Sequence, residues 1–394
     1  MENAFLTPDH LRLAAEAWSF ARDSVAPMAA EEDEEAEVDD LARRFVSRLA
    51  DAGLLRRCVP AAWGGASELV DVRTLCLVRE ALAYASGLCD AMFAMQGLGA
   101  GPISFFGDAA QRQAWLPKVA TGKAIAAFAL TEPGAGSDPS AIQTEARREN
   151  GGYTINGVKR FISNAGLADF YVIFAKSSEV EGKARLSAFI VPADNPGIRL
   201  RERLELVAPH PIGEIGLEGC RVPASALIGA EGQGMRIALS TLDAFRPTVG
   251  AAALGLARRA LDETLDRVAT RRQFGGPLSN QEGVQFMLAD MATELDAARL
   301  LVYRAAWRRD GGQARTTLES AMAKLYATEA AQRIVDRAVQ LHGGDGVVRG
   351  FEVERLYREV RALRIYEGAS EIQKVVIARE LLQGHHQQPA RPRE

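Results

Sequence analysis

The sequence predicts an α+β protein, mainly α, running from a helical N-terminal domain through a central β domain to a C-terminal helical bundle. Three observations carry that expectation. From Leu6 to about Thr121, apolar residues recur at the three-to-four spacing of helices. Between about Ile125 and Gly232 the text breaks into short β-rich runs separated by Gly, Pro and Asp. From Met235 to about Leu382 the helical period returns in segments of about 25 to 35 residues, long for globular helices and suited to an antiparallel bundle. The expected divisions are 1–124, 125–232 and 233–384, with 385–394 a flexible tail.

In the first region, "LRLAAEAWSFARDSVAPMAA" is amphipathic, and the acidic run "EEDEEAEVDD" after it reads as a solvated connection or helix start. "LVREALAYASGLCDAMFAMQGLG" and "AAQRQAWLPKVATG" continue the helices, the latter closed by Gly122 as a C-terminal cap. In the middle region, "GGYTINGVKRFISNA" alternates around Asn156-Gly157, a dipeptide that suits a two-residue hairpin turn. "FYVIFAK", "LSAFIVPA" and "GEIGLEGCRVP" follow as strands. In the last region, Val284, Met287, Leu288, Met291, Leu295, Ala298 and Val302 fall on one stripe of a bundle helix.

The bulk composition excludes several classes. At 394 residues, with 47% apolar and 25% charged residues, the chain is an ordinary globular protein of two or three packed units. A net charge of −4 leaves no basic surplus to neutralise a phosphate backbone, so nucleic acid is not an expected partner. No run approaches the ~18 consecutive apolar residues of a membrane span. The opening "MENAFLTPDHLRLAAEAW" has no basic, apolar and cleavage regions in series, so a soluble cytoplasmic protein is expected. Cys58, Cys76, Cys89 and Cys220 are widely spaced and read as buried thiols. Only His385 and His386 stand close together among the histidines, in a polar tail read as disordered, so no metal is expected.

Four segments could carry chemistry. "FALTEPGAGSD", Phe128 to Asp138, places Gly134 and Gly136 around Ala135, where backbone can approach a ligand, and adds the Ser137 hydroxyl. It is neither the G-x-G-x-x-G fingerprint nor a P-loop. In "GVKRFISNAGLADFY", Phe161 and Ser163 lie two apart on a strand and face one side, able to offer a ring and a hydroxyl to one flat ligand. In "TRRQFGGPL", Arg271 and Arg272 end a helix beside Gln273 and Phe274, a favourable place for cations in any protein. In "QLHGGDG", helix capping explains one glycine, and the second suggests that something approaches the backbone. The stretch "RIYEGASEIQ" adds Glu367 and, one turn later, Glu371, which a helix start alone could also explain.

Taken in order and spacing, "ALTEPGAGSD", "KRFISNAGLAD", "DAFRPTVGAAALGLARRAL", "RRQFG", "LADM", "AVQLHGGDG" and "IYEGASEIQ" resemble the acyl-CoA dehydrogenase family, over about residues 8 to 383. The resemblance implies a helical N-terminal domain, a central β domain and a C-terminal four-helix bundle, assembled as a homotetramer, a dimer of dimers. It implies FAD held between the β domain and the bundle, partly by a neighbouring subunit. By motif position, Phe128, Leu130, Thr131, Gly136 and Ser137 fall where the family contacts the flavin, and Phe161 and Ser163 where it covers the ring. Arg271, Gln273, Phe274, Gln340, Gly343 and Gly344 match positions reaching the adenine and pyrophosphate of a partner's FAD, and Ala369 and Glu371 lie beside the flavin. Ser137, Asp243 and Arg246 match positions near the acyl-CoA, and beside Glu367, Gly368 would leave room for the thioester while Tyr366 supplies an apolar-polar wall.

The implied reaction is the α,β-dehydrogenation used in β-oxidation, with Glu367 as the base, hydride passing to flavin N5, and electrons going on to an electron-transferring flavoprotein. Some members carry the base one residue before the substrate arginine; here that residue is Phe245, which accepts no proton. Three departures from the family pattern are Ala369 for Thr, Glu282 for Gln and Glu359 for Asp; the first two bear on FAD contacts. An acyl-CoA oxidase or a non-redox elimination enzyme is the alternative on the same fold, and a nucleic-acid-associated member would need a basic face that this acidic chain does not suggest. The acyl group stays open, because the helix "CDAMFAMQGLGAGPISFFG" offers small residues that suggest space and large ones that could fill it.

Overall fold

The computed structural model describes residues 4–30, 38–180, 183–313 and 315–386. The helices of the first region are α1 (Pro8–Phe20), α2 (Ala26–Ala29), α3 (Val38–Asp51), α4 (Val72–Ala85), α5 (Gly87–Phe106) and α6 (Ala109–Ala120). The strands that follow are β1 (Ala126–Ala129), β2 (Glu145–Glu149), β3 (Gly152–Ser163), β4 (Phe170–Val180), β5 (Lys183–Pro192), β6 (Ile198–Arg203), β7 (Ile212–Pro223) and β8 (Leu227–Ile228). Then come α7 (Gly234–Thr270), the short strands β9 (Arg272–Gln273) and β10 (Gly276–Pro277), and α8 (Glu282–Asp310), α9 (Thr317–His342), α10 (Glu352–Leu363) and α11 (Ser370–His386). The predicted class is therefore the observed one: helices, then a sheet, then a helical bundle. Most of the acidic run and the last eight residues of the predicted tail lie outside the described residues; Asp39 and Asp40 sit in the first turn of α3, and α11 runs through His385 and His386, which were expected to be disordered. The four cysteines are buried. Among the described residues, no helix is long and apolar enough to cross a membrane, and no group of His, Cys, Asp and Glu could hold a metal ion.

The chain divides into two compact units. One comprises Glu16–Leu75 and Ser86–Leu242, and its sheet runs in the order β6-β7-β3-β2-β4-β5-β8 with β1 beside β4. Ile155, Ile173, Phe189, Val191, Ile215 and Leu217 are among the buried apolar residues of its core. Helix α5 lies close against β1: a Cβ on Gly99 would sit 2.7 Å from that of Ala126. That glycine therefore serves helix-to-strand packing, not open space. The buried Gln96 amide donates to the Ala124 carbonyl (2.9 Å) and accepts from the Ala126 N–H (2.8 Å), tying α5 to the strand that leads into the Gly-rich segment. Helix α6 starts with a reciprocal cap, Asp108 with Gln111, and Gly122 follows its end with φ +67°.

The hairpin turn differs from expectation. Strand β3 runs straight through Asn156-Gly157, where the register against β7 shifts, and the Asn156 side chain accepts from the Gly219 N–H (2.7 Å). The turn between β2 and β3 is formed by the other Asn-Gly pair, Asn150 (φ +49°) and Gly151 (φ +80°), both left-handed as a two-residue turn requires. Gly157 is needed for a different reason: a Cβ there would meet Thr144 Oγ1 at 2.4 Å.

The second unit comprises Met1–Ala15, Cys76–Ala85 and Asp243–Glu394. Helix α9 packs against α8, α10 and α11 through a small-residue face that includes Ala323, Ala327, Ala330 and Ala331. Gly250 lets α7 come close, since a Cβ there would lie 2.7 Å from Val302 Cγ2 and 3.4 Å from Ala327 Cβ. In α8, Met291, Leu295, Ala298 and Val302 of the predicted stripe are buried, whereas Val284, Met287 and Leu288 are half-buried.

Candidate active site

In the sheet-containing unit, the site begins where β1 ends. Phe128 is half-buried and packs on Phe174, ring centroids 4.9 Å apart. Glu132 and Ala135 exchange two backbone hydrogen bonds of 3.1 Å, closing a tight turn over Pro133-Gly134. The Glu132 carboxylate is buried, where an unpaired charge would be costly, but it accepts from the N–H groups of Gln143 (2.6 Å) and Thr144 (3.0 Å), the Thr144 hydroxyl (2.5 Å) and Lys159 Nζ (2.8 Å). Lys159, fully buried, also donates to the Leu130 carbonyl (3.0 Å), and the Arg160 N–H donates to the Thr131 carbonyl (3.0 Å). Both carbonyls are thus tied to β3. Burial pulls the Lys159 pKa down to about 8 against the pull of Glu132. Beyond the turn, Gly136 and Ser137 are exposed, and a Cβ on Gly134 or Gly136 would meet nothing within 4 Å.

A bulge in β3 re-aims the next residues. The register against β7 shifts between Lys159 and Ile162, and within it Phe161 adopts φ +57°, rare for a bulky side chain. Its ring is 55% exposed, with the Arg160 guanidinium 5.3 Å from its centroid. The regular pleat expected to carry Phe161 and Ser163 on one face is therefore interrupted. Ser163 Oγ lies 2.7 Å from His210 Nε2, and the Asn164 N–H donates to the Pro211 carbonyl (2.6 Å). Desolvation lowers the His210 pKa to about 4 from an ordinary 6.5, so the ring is neutral at pH 7. Below pH 6.5 the unfolded chain takes up a proton that the folded ring refuses until about pH 4. Folding stability is expected to fall as pH drops through that window, and His210→Gln to flatten the fall in urea titrations.

In the helical unit, the turn between α10 and α11 holds Glu367. The Ser370 N–H donates to the Arg364 carbonyl (3.1 Å), and the Glu329 carboxylate accepts from both Arg364 Nε (2.9 Å) and the Ser370 hydroxyl (2.5 Å). Buried Lys324 donates to the Gly368 carbonyl (2.9 Å); the buried Gln373 amide donates to the same carbonyl (2.9 Å) and to that of Glu367 (3.3 Å). Held this way, Glu367 has φ +53° and Gly368 φ +94°. A Cβ on Gly368 would meet Gln373 Nε2 at 2.4 Å, so local backbone and packing already demand glycine. Ala369 is half-buried, and Tyr366 and Glu371 are exposed, the last in the first turn of α11.

Arg246 is buried in α7, and its Nη1 donates to Asp243 (2.5 Å), whose second oxygen accepts from the Thr317 hydroxyl (2.7 Å). Asp243 is thus already engaged in orienting Arg246. Phe245 is buried.

Arg271 directly follows α7, and its N–H still donates to the Arg267 carbonyl (2.9 Å), whereas Arg272 does not end the helix but opens a hairpin with Gln273. Its two-residue turn is Phe274 (φ +50°) and Gly275 (φ +83°), which leaves the Phe274 ring 91% exposed. Gln340, in the last turn of α9, and Gly343 and Gly344 just after the helix are exposed, Gly343 has φ +64°, and a Cβ on Gly343 or Gly344 would meet nothing within 4 Å. Arg267 braces this loop by donating to the His342 carbonyl (3.1 Å) and to Asp345 (2.6 Å). Within the sheet-containing unit, the left-handed exposed Phe161 and the tied-down Leu130-Thr131 segment suit a flat ring; within the helical unit, the open backbone at Gly343-Gly344 suits a phosphate chain.

Sequence reasoning missed Lys159, His210, Lys324, Glu329 and Gln373. A signal existed for Lys324 alone: with Ser320, Ala321, Ala327, Thr328 and Ala331 it lies on the buried stripe of α9, where a lone charge demands a partner.

Family models for the acyl-CoA dehydrogenase N-terminal domain match residues 7–123, for the middle domain 127–220 and for the C-terminal domain 232–382. The chain is 37% identical to a 3-(aryl)acrylate reductase of Clostridium sporogenes, over 96% of this chain and 100% of that one. It is 38% identical to the mitochondrial short-chain specific acyl-CoA dehydrogenase of Mus musculus, over 96% and 92% respectively. An acyl-CoA dehydrogenase of Bacillus anthracis, solved in complex with FAD, superimposes with a TM-score of 0.89 at 29% identity, covering 97% of this chain and 68% of that one. The chain belongs to the acyl-CoA dehydrogenase family of FAD-dependent oxidoreductases.

Proposed function

We propose that the protein is an FAD-dependent acyl-CoA dehydrogenase that forms an α,β-double bond in an acyl-CoA thioester, with Glu367 as the base. The observation that carries this reading is the Glu367-Gly368 turn: a glutamate with left-handed backbone, in a turn whose Glu367 and Gly368 carbonyls accept from Gln373 and, at Gly368, from Lys324. A base that removes a weakly acidic α-proton has to be held still against it, and a turn fixed by these backbone hydrogen bonds supports that use. FAD, when bound, supplies the two-electron acceptor for the β-hydride.

The chain's own residues supply the rest. Phe128, Leu130, Thr131, Gly136, Ser137, Phe161 and Ser163 would hold the flavin ring, with the carbonyls of Leu130 and Thr131 tied back so that their edge stays rigid. Ala369 and Glu371 would flank it. Arg271, Gln273 and Phe274, with Gln340, Gly343 and Gly344, would reach a neighbouring subunit's FAD in a homotetramer; the 91% exposure of Phe274 on a rigid hairpin supports that use. Ser137, Arg246, Tyr366 and Gly368 would meet the acyl-CoA, with Asp243 orienting Arg246. An electron-transferring flavoprotein is the proposed electron acceptor.

The relative named as a reductase favours a second reading, the same chemistry run in reverse. Glu367 would then return a proton to the α-carbon.

The test is anaerobic mixing of FAD-loaded protein with a panel of acyl-CoA thioesters of short, branched, medium, aryl and dicarboxylate chains. Bleaching of the oxidised-flavin absorbance by one class, with the enoyl thioester as product, is expected. Oxidised flavin that no thioester bleaches, together with reduced flavin that an enoyl thioester reoxidises, would select the reductase direction.

A further inference from the structure

We propose that Lys324 is a positioning residue for the base: by clamping the Gly368 carbonyl it holds Glu367 in the turn that aims its carboxylate, and it adds a buried cation to that turn. The inference rests on the reading of Glu367 as the base.

Lys324 stands on the inner face of α9 with no surface exposure, and its Nζ lies 2.9 Å from the Gly368 carbonyl. A lysine is an expensive way to hold one carbonyl, because a neutral amide could do it without bringing a charge out of water. Gln373 already does so, at 2.9 Å to the same oxygen. What the lysine adds is charge. The charged groups whose fields act on it are Glu367 on the turn, Arg246 on α7, Glu329 on α9 itself and Glu371 on α11. Arg246 is engaged by Asp243, and Glu329 by Arg364 and Ser370. Burial lowers the Lys324 pKa to about 8, with Glu367 the foremost group opposing the drop, so Lys324 remains a cation at neutral pH. A cation in this place favours the ionised carboxylate and so keeps the base ready before substrate arrives.

Clamp and charge separate experimentally. The measurement is kcat/KM against pH for FAD-loaded wild type, Lys324→Met, Lys324→Gln, Lys324→Arg and Gln373→Leu, on whichever thioester bleaches the flavin. Lys324→Met is expected to lower kcat by about 10²-fold through misplacement of the base. It should also move the acid limb up by about one pH unit through loss of the cation. Lys324→Gln, which keeps a donor, should recover part of kcat but keep the shifted limb, and it decides the matter if the methionine variant does not fold. Lys324→Arg should restore the limb. Gln373→Leu should lower kcat with the limb unmoved.

An unmoved acid limb in both uncharged Lys324 variants, with Glu367→Gln inactive, overturns this inference and leaves the base reading intact. Glu367→Gln bleaching at the wild-type rate overturns both.

Discussion

Replacing Glu367 by glutamine is expected to lower the rate of anaerobic flavin bleaching by about 10²–10⁴-fold, the range by which a positioned general base acts. Glutamine is close to isosteric and keeps the hydrogen-bonding reach, but it accepts no proton at neutral pH. The turn itself is held by carbonyl and side-chain contacts from Lys324, Gln373 and Glu329, none of which needs the Glu367 carboxylate. FAD content should therefore match the wild type and the protein should stay folded, which separates loss of chemistry from loss of structure. Alanine at the same position is a poorer control, because it removes the side chain's bulk and hydrogen-bonding reach together with the charge.

The second large effect is expected in stability. Lys159→Met removes the cation from a buried pair and leaves the Glu132 carboxylate charged inside the protein, a change that costs about 3–5 kcal/mol where such pairs have been broken. Burial by itself pushes Glu132 up, but Lys159 and the Thr144 and Gln143 hydrogen bonds outweigh it and hold the group below its ordinary value. The variant should unfold at markedly lower urea concentration. Because the Leu130 carbonyl is released at the same time, it should also bind FAD more weakly. Adding Glu132→Gln is expected to recover part of the lost stability, since removing both charges spares the desolvation of either. FAD retention should not recover with it, because the tie from Lys159 to Leu130 stays broken.

The architecture was legible because hydrophobic period is a local property. The change from a three-to-four period to short β runs and back marks the order of elements, and Met291, Leu295, Ala298 and Val302 are buried where the stripe places them. Local turn chemistry was ambiguous. The chain has two Asn-Gly pairs six residues apart, and only the backbone of Asn150-Gly151 is left-handed at both positions. The other pair sits in a bulge that depends on Thr144 and Gly219, which no local rule could bring there. Phe161 and Ser163 were found by strand alternation, but the left-handed turn at Phe161 and the contact to His210 come from pairing with a distant loop. Glu367 came from a motif and its order among others. Its supports, Lys324 and Glu329, lie about forty residues earlier and meet it only because α9 packs on the turn and on α11.

The most direct test of the central claim, that Glu367 exchanges the α-proton of an acyl-CoA, is deuterium incorporation. FAD-loaded protein is incubated anaerobically in D₂O with the thioester that bleaches it, and recovered substrate is weighed by mass spectrometry. The wild type is expected to introduce deuterium at the α-carbon, and Glu367→Gln to introduce none above the uncatalysed background. Equal incorporation by both proteins would mean that another group moves the proton and would contradict the account.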